Sequence, residues 1–417
     1  NYVGWAWKAG GNKNTFNVDD VGYASASDVG MNVGGQNSNV YDQTQTWSDS
    51  LTSSNGFWSG QGATKAFDGQ GNVSGTNNNG VLTFSPNLTI PANSTIEVKC
   101  STQSNGYTVT VNGVANDFDD SNVFTVVNYD GSTTLSTITI ANKGSASGDL
   151  RGIKINGRLL VDNGVSVTNV PSIANTGASV GTKQGFSIIR WTGDGEAGKT
   201  ISHGLSQTPS FIVHKAASDS TYAWNSWHKG LSTDYYIALN SSSAQDNSVN
   251  IWPTAGITDS VITTTSATVK YNNLSGETHI AYIWHDVPGL QKFGTYEGKS
   301  ALNFVELGFR PALIMLKNSS NGSYTSYTYF AMFDSTRDTH NTMQNVIFAG
   351  KSQEENKRGN GGSMSSVADF SLDFLSNGFA LRDNGASEIN LSGSTYIYAA
   401  WAESPTVNLF GAGANAR

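Results

Sequence analysis

The run Thr192-Gly193-Asp194-Gly195-Glu196-Ala197-Gly198-Lys199-Thr200 matches a phosphate-binding loop: Gly, four residues, then Gly-Lys-Thr. Such a loop holds phosphate with backbone N–H groups and the N-terminus of the succeeding helix, while Lys and Thr reach phosphate and Mg²⁺. The next residues in this chain are "ISHGLSQTPSFIVHK", in which Gly204, Pro209 and the strand-like "SFIV" leave no room for a helix. A polar connection between two strands is expected instead. Gly177-Ala178-Ser179-Val180-Gly181 likewise spells the G-x-S-x-G nucleophile elbow, with Asp194 and His203 downstream in α/β-hydrolase order. That elbow needs a strand-to-helix turn on a parallel sheet. No parallel sheet is predicted, and a Gly-rich linker is the plainer expectation.

The six histidines, His203, His214, His228, His279, His285 and His340, form neither H-x-H nor H-E-x-x-H, so zinc has no local signal and a surface position is expected for them. In "NDFDDSN" (116–122), Asp117, Asp119 and Ser121 alternate, a spacing that could offer oxygen ligands to Ca²⁺. The Gly and distal Glu of an EF-hand loop are missing, which favours a solvated turn. No other cofactor is implied. Tryptophan carries the remaining signal, with Trp224, Trp227 and Trp252 clustered and Trp47 and Trp58 upstream. Exposed aromatic faces stack on sugar rings while Asn, Asp and Ser hydrogen-bond the hydroxyls. Trp58, Asp68, Trp224, Trp227 and Trp252 are therefore the candidate glycan residues, against the plainer expectation that most such rings are core.

The elements that would position these residues read as β-strands. Runs such as "YTVTVNGV" (107–114), "STITIAN" (136–142) and "GIKINGRLLV" (152–161) alternate apolar and polar residues around Asn-Gly pairs, the hairpin signature. No long amphipathic helix is visible. Charged residues are 13% of the 417, and a balance of 24 basic to 32 acidic with no Lys/Arg cluster argues against a nucleic-acid surface. The longest apolar runs, such as 312–316, fall far short of the ~20 residues a membrane helix needs, so no membrane insertion is expected. Cys100 is the single cysteine, so no intrachain disulfide can hold the fold.

An internal repeat organises the second half. "LSGETHIAYIWHDVPG" (274–289) aligns without gaps with "LSGSTYIYAAWAESP" (391–405), pairing Leu274 with Leu391, Ile280 with Ile397 and Trp284 with Trp401. Upstream, "GLSQTPSFIVHK" (204–215) pairs with "GFRPALIMLKN" (308–318). Residues 185–290 and 291–405 thus read as two copies of one β unit, each covering a face the other could not bury alone. "NYVGWAW" (1–7) matches the closing strand of that unit, so 1–40 reads as the end of a preceding copy plus linker, and the chain as a fragment of a longer polypeptide. Residues 41–165 have the size of a separate sandwich domain, 166–184 read as a linker, and 406–417 as a tail. The expected fold is all-β: tandem antiparallel, jelly-roll-like β-sandwiches, the C-terminal one an internal duplication.

Three long motifs, at 2–25 ("YVGWAWKAGGNKNTFNVDDVGYAS"), 177–211 ("GASVGTKQGFSII" through "ISHGLSQTPSF") and 373–405 ("DFLSNGFALR" through "SGSTYIYAAWAESP"), give the chain a family resemblance. It resembles the tail fibres and long tail proteins of marine tailed bacteriophages, including cyanophages, with one departure at Arg190-Trp191, where a Lys/Tyr pair is expected. The middle domain is similar to a sandwich found in the same phage proteins, and its "ATKAFDG" (63–69) resembles discoidin-like galactose-binding domains. The resemblance implies a non-enzymatic virion part, extracellular on a tail appendage, with other tail proteins and host cell-surface polysaccharide as partners and a homotrimeric assembly. It carries no catalytic residues. A passive spacer and a polysaccharide-degrading spike are the alternatives. An acidic cluster in a groove would favour the enzyme, aromatics beside Asn and Asp the binder, and smooth polar tips the spacer.

Overall fold

A computed structural model describes residues 3–34, 40–92, 94–101, 105–118, 122–144, 147–165, 170–218, 221–248, 251–265, 271–320, 329–343, 345–350, 355, 370–382 and 389–404. They are all-β, with only short 3-10 turns between strands, and no helix among them is long and apolar enough to cross a membrane. They form two compact units, one of residues 30–172 and one of 1–29 together with 173–417.

The smaller unit is a sandwich. An antiparallel five-stranded sheet, centred on Ile138–Asn142 and Tyr107–Val111, lies in one core with a four-stranded sheet centred on Ile96–Lys99 and Gly152–Ile155. Alternation explains this core: Val109, Val111, Ile138, Ile140, Ile96, Val98, Ile153 and Ile155 are all fully buried, and the residues between them are less so. Asn112-Gly113 and Asn156-Gly157 make the turns with positive φ at both positions, as a two-residue hairpin requires. Cys100 is buried in the same core, and burial pushes its thiol pKa up, so it stays protonated.

The larger unit holds the duplication. Its first large sheet comprises β1 (Phe16–Val18), β2 (Val21–Tyr23), β3 (Asn175–Gly181), β4 (Phe186–Thr192), β5 (Phe211–Ala216), β6 (Asn225–His228), β7 (Ile237–Ala238) and β8 (Thr278–Trp284). The second comprises β9 (Gln291–Glu297), β10 (Pro311–Asn318), β11 (Ala331–Asp334), β12 (Ile347–Phe348) and β13 (Thr395–Ala402). The strand orders correspond one to one: β4-β8-β5-β6-β7 in the first copy and β9-β13-β10-β11-β12 in the second. The registers correspond too, since Phe211 faces Trp284 where Leu313 faces Trp401.

Residues from both copies build one core. Phe186, Phe211, Val213 and Trp284 meet Phe293, Leu313, Met315, Ile397 and Trp401. Trp7 joins them, with its ring 5.9 Å from Trp284 and 5.2 Å from Trp401, both edge-to-face. Residues 10–29 and 173–184, expected as linkers, instead carry β1, β2 and β3, which extend the first sheet. Strand β1 pairs with β3 in parallel, the one departure from the antiparallel pattern among the described strands. Glycine-rich composition misled the linker reading, because Gly177 and Gly181 sit inside a paired strand. The expected tail, 406–417, lies outside the described residues.

Candidate functional site

The phosphate-loop-like run is a turn whose amides are already committed. Gly193 and Gly195 N–H donate to the Glu277 and Asn273 carbonyls, each at 3.0 Å, and Gly198 N–H to that of Thr265 at 3.0 Å. Asp194 N–H donates to the Asn273 side chain, and the Lys199 ammonium lies 2.6 Å from Glu196. The second copy repeats this turn: Gly298 and Ser300 N–H donate to the Ser394 and Asn390 carbonyls, and Lys299 N–H to the Asn390 side chain. The motif is thus one copy's version of a structural turn. Its first glycine is demanded by close approach, since a Cβ on Gly193 would stand 2.1 Å from the Leu274 carbonyl oxygen and one on Gly298 2.0 Å from that of Leu391. Gly193→Ala and Gly298→Ala should each cost about 1–3 kcal/mol by overpacking, read as a fall in urea midpoint. Mg·ATP should leave Tm unmoved, and a nucleotide-dependent rise would contradict the assignment.

Ser179 lies within β3, where its hydroxyl donates to the Gly11 carbonyl at 2.8 Å, so no elbow forms. Five histidines prove to be buried, contrary to the surface expectation: His203, His214, His228, His279 and His285. The sequence signal lay in their strand positions, where alternation turns His214 and His279 inward. Their rings hydrogen-bond each other at 3.0 Å and stack on Trp191. His203 donates from Nε2 to the Thr258 carbonyl and accepts Leu205 N–H at Nδ1. His228 does the same with the Tyr398 carbonyl and Gly230 N–H, linking the two copies. Burial lowers the pKa of each, to about 4 for both His203 and His228.

The tryptophan candidates part company. Trp227 and Trp252 are 5% and 1% exposed and present no face to a ligand, because both belong to packed interior. Trp224 is half-buried against Tyr282. Trp58, in the smaller unit, is 50% exposed, and its indole N–H donates to Ser147. Asp68 closes its own loop by accepting from Gln70 N–H and the Asn72 amide. Asp117 meets Lys143 at 3.5 Å and Thr108 at 3.1 Å, while Asp119 and Ser121 lie outside the described residues. Among the described residues no three of His, Cys, Asp and Glu gather as a metal ion would require.

A polar cavity adjoins β6 and β7 of the first copy. Asn225 pairs with His214 on one side and Ala238 on the other. Ser226 and His228 alternate toward the core shared by the copies, which puts Asn225 on the opposite face of the sheet, the one His214 also occupies, where it is buried. In the second copy the matching positions are Ala331, Leu316 and Phe348. Phe348 is buried there and packs edge-on against Phe370 at 5.4 Å. Beside the small Ala238 the space is open: a cavity of about 420 Å³ is lined by Tyr222, Tyr236, Tyr271, Asn225, Ser241, Ser243 and Asp246.

The cavity walls are held in place by hydrogen bonds. Tyr222 and Tyr271 meet edge-to-face with centroids 4.9 Å apart, making an aromatic corner. Tyr236 donates its hydroxyl to Asp246 at 3.3 Å, and burial first and the carboxylate second push that hydroxyl's pKa up to about 12. Two lysines at matched positions of β5 and β10 grip the rim, Lys215 at the Tyr222 carbonyl and Lys317 at the Ser241 carbonyl. Lys317 is 1% exposed, and burial lowers its pKa to about 7. These tyrosines escaped the sequence reading, which looked for tryptophan. A second cavity, about 430 Å³, is walled by Trp5, Trp7, Phe186, Leu313 and Trp401 and offers fewer polar groups to orient a ligand.

Comparison with known proteins yields one match. The family model described as a domain of unknown function (DUF7483) covers residues 159–405, more than half of the chain and both copies of the duplication. No curated protein and no solved structure matches.

Proposed function

This chain belongs to the DUF7483 family, and from that premise we propose that it is a non-enzymatic structural module of a bacteriophage virion, a tail fibre or similar appendage, whose first-copy cavity holds a sugar unit of host-surface polysaccharide. The observation that carries the reading is the contrast between the copies. The scaffold carries a buried phenylalanine, Phe348, packed on Phe370 in one copy, and at the matching Ala238 of the other copy it borders an open cavity walled by three tyrosines with Asn225, Asp246 and serine hydroxyls. The fold therefore does not need the opening, and its lining suits a saccharide: flat faces for C–H surfaces, polar groups for hydroxyls.

The virion setting rests on the tail-fibre motifs, and the partners it implies are other tail proteins, host polysaccharide and two further copies in a homotrimer. The non-enzymatic reading is supported by the lining, where Asp246 is the single carboxylate among the described residues. Glycoside hydrolysis ordinarily uses two, about 5–10 Å apart. The test is equilibrium binding of the 417-residue chain to a panel of bacterial surface polysaccharides, with the sugars sized afterwards. Saturable binding to sugar that stays intact is expected. Shortened chains would replace the binder with an enzyme, and silence across the panel would leave a passive spacer.

A further inference from the structure

We infer that the cavity beside Ala238 accepts an uncharged or amine-bearing sugar unit and turns away sugars carrying carboxylate or phosphate, an inference that rests on the saccharide reading of the same cavity. Asp246 is the single charged side chain in its lining among the described residues. Neutral donors alone hold its carboxylate: Ser248 N–H at 2.7 Å, the Ser248 hydroxyl at 2.9 Å and the Tyr236 hydroxyl at 3.3 Å. No ion pair among the described residues includes it. Its charge is left for the cavity.

Recognition of an acidic sugar normally recruits a guanidinium or ammonium to meet the anion. The two lysines at the rim are not among the lining residues, and their ammonium groups are engaged by the Tyr222 and Ser241 carbonyls. Lys317, with a pKa lowered to about 7 by burial, also carries only part of its charge at neutral pH. A sugar acid would bring a like charge to within about 5 Å of Asp246, and at an effective dielectric near 20 that repulsion weakens binding by more than about tenfold. An ammonium on the sugar would gain by the same field, and a neutral hexose is indifferent to it. The three tyrosines and Asn225 serve all three equally, so charge alone sorts them.

The test compares three oligosaccharides of equal length by calorimetry on the intact chain at low salt: a glucosamine oligomer with free amines, a neutral glucose oligomer and a galacturonic acid oligomer. The amine and neutral probes should bind, and the acidic probe should bind at least about tenfold more weakly. Asp246→Asn, with folding confirmed by circular dichroism, should shrink that gap several-fold. Raising salt to about 1 M should shrink it in the unmodified chain as well, which keeps the test alive if the variant does not fold. Equal or tighter binding of the galacturonic acid oligomer, or a gap insensitive to both Asp246→Asn and salt, overturns the inference while leaving the saccharide reading in place. Failure of all three probes together with the polysaccharide panel removes the saccharide reading, and this inference with it.

Discussion

Ala238→Phe should abolish saccharide binding while leaving the fold intact. The substitution copies the second repeat, where Phe348 occupies the matching place in the ladder, beside Ile347 as Ala238 stands beside Ile237. A ring there enters the space between Asn225 and the tyrosines, so affinity should fall by more than tenfold, about 1.4 kcal/mol or beyond. Because the scaffold accommodates phenylalanine at this position in the other copy, Tm should move by less than the ~2–4 °C that 1 kcal/mol produces in a domain of this size. The reverse change, Phe348→Ala, should behave oppositely: about 3–5 kcal/mol of stability lost to a cavity. It should confer no binding, since Ala331 stands where Asn225 would be needed. Unaltered binding by folded Ala238→Phe would place the ligand elsewhere.

Acid should destabilise the duplicated unit steeply between pH 6.5 and 4. His203 and His228 are buried neutral, with folded pKa values of about 4 against an ordinary 6.5. Between those values the unfolded chain binds the proton and the folded chain does not, so stability is complete above pH 6.5 and is lost as pH falls toward 4. Each group contributes a slope of up to about 1.4 kcal/mol per pH unit. Two such groups together remove roughly 6–7 kcal/mol across the window, comparable with the whole stability of many domains. The stacked pair His214 and His279 shifts in the same direction. Lys317 acts in a separate window: with its pKa lowered from 10.5 to about 7, stability should climb further as pH rises between those values. Urea midpoints followed from pH 8 to pH 4 test the acid limb. A flat profile there would mean that these rings are not neutral and buried, and His228→Gln should reduce the slope by about one group's share.

Much of the fold was legible because its signals are local. Asn112-Gly113 and Asn156-Gly157 need only their own backbone to make a hairpin, and Trp284 and Trp401 mark the duplication because both are buried at matching places in the closing strands. What was lost depended on pairing. The glycines of 177–181 look like linker until β1 and β4 are laid on either side of them. His214 and His279 look like surface until β5 and β8 are paired.

The cavity was the hardest feature to read because it arises from a side chain that is small. Ala238 is informative only beside Phe348, and that comparison needs "YIALN" (236–240) aligned with "VIFAG" (346–350), two short runs with little shared chemistry. Its aromatic walls come from separate loops, Tyr222 from one, Tyr271 from another and Tyr236 from the edge of β7. Trp227 and Trp252 misled for the complementary reason: residue type suggested a platform, while strand position and packing put both rings inside.

The measurement that bears most directly on the central claim is a crystal structure of the chain with the tightest-binding saccharide of the panel. The expected result is a sugar ring in the corner of Tyr222 and Tyr271, hydroxyls within hydrogen-bond distance of Asn225 and Asp246, and the Phe348 region of the second copy unchanged. A sugar seated instead against Trp58 of the smaller unit, with the cavity beside Ala238 unaltered, would contradict it.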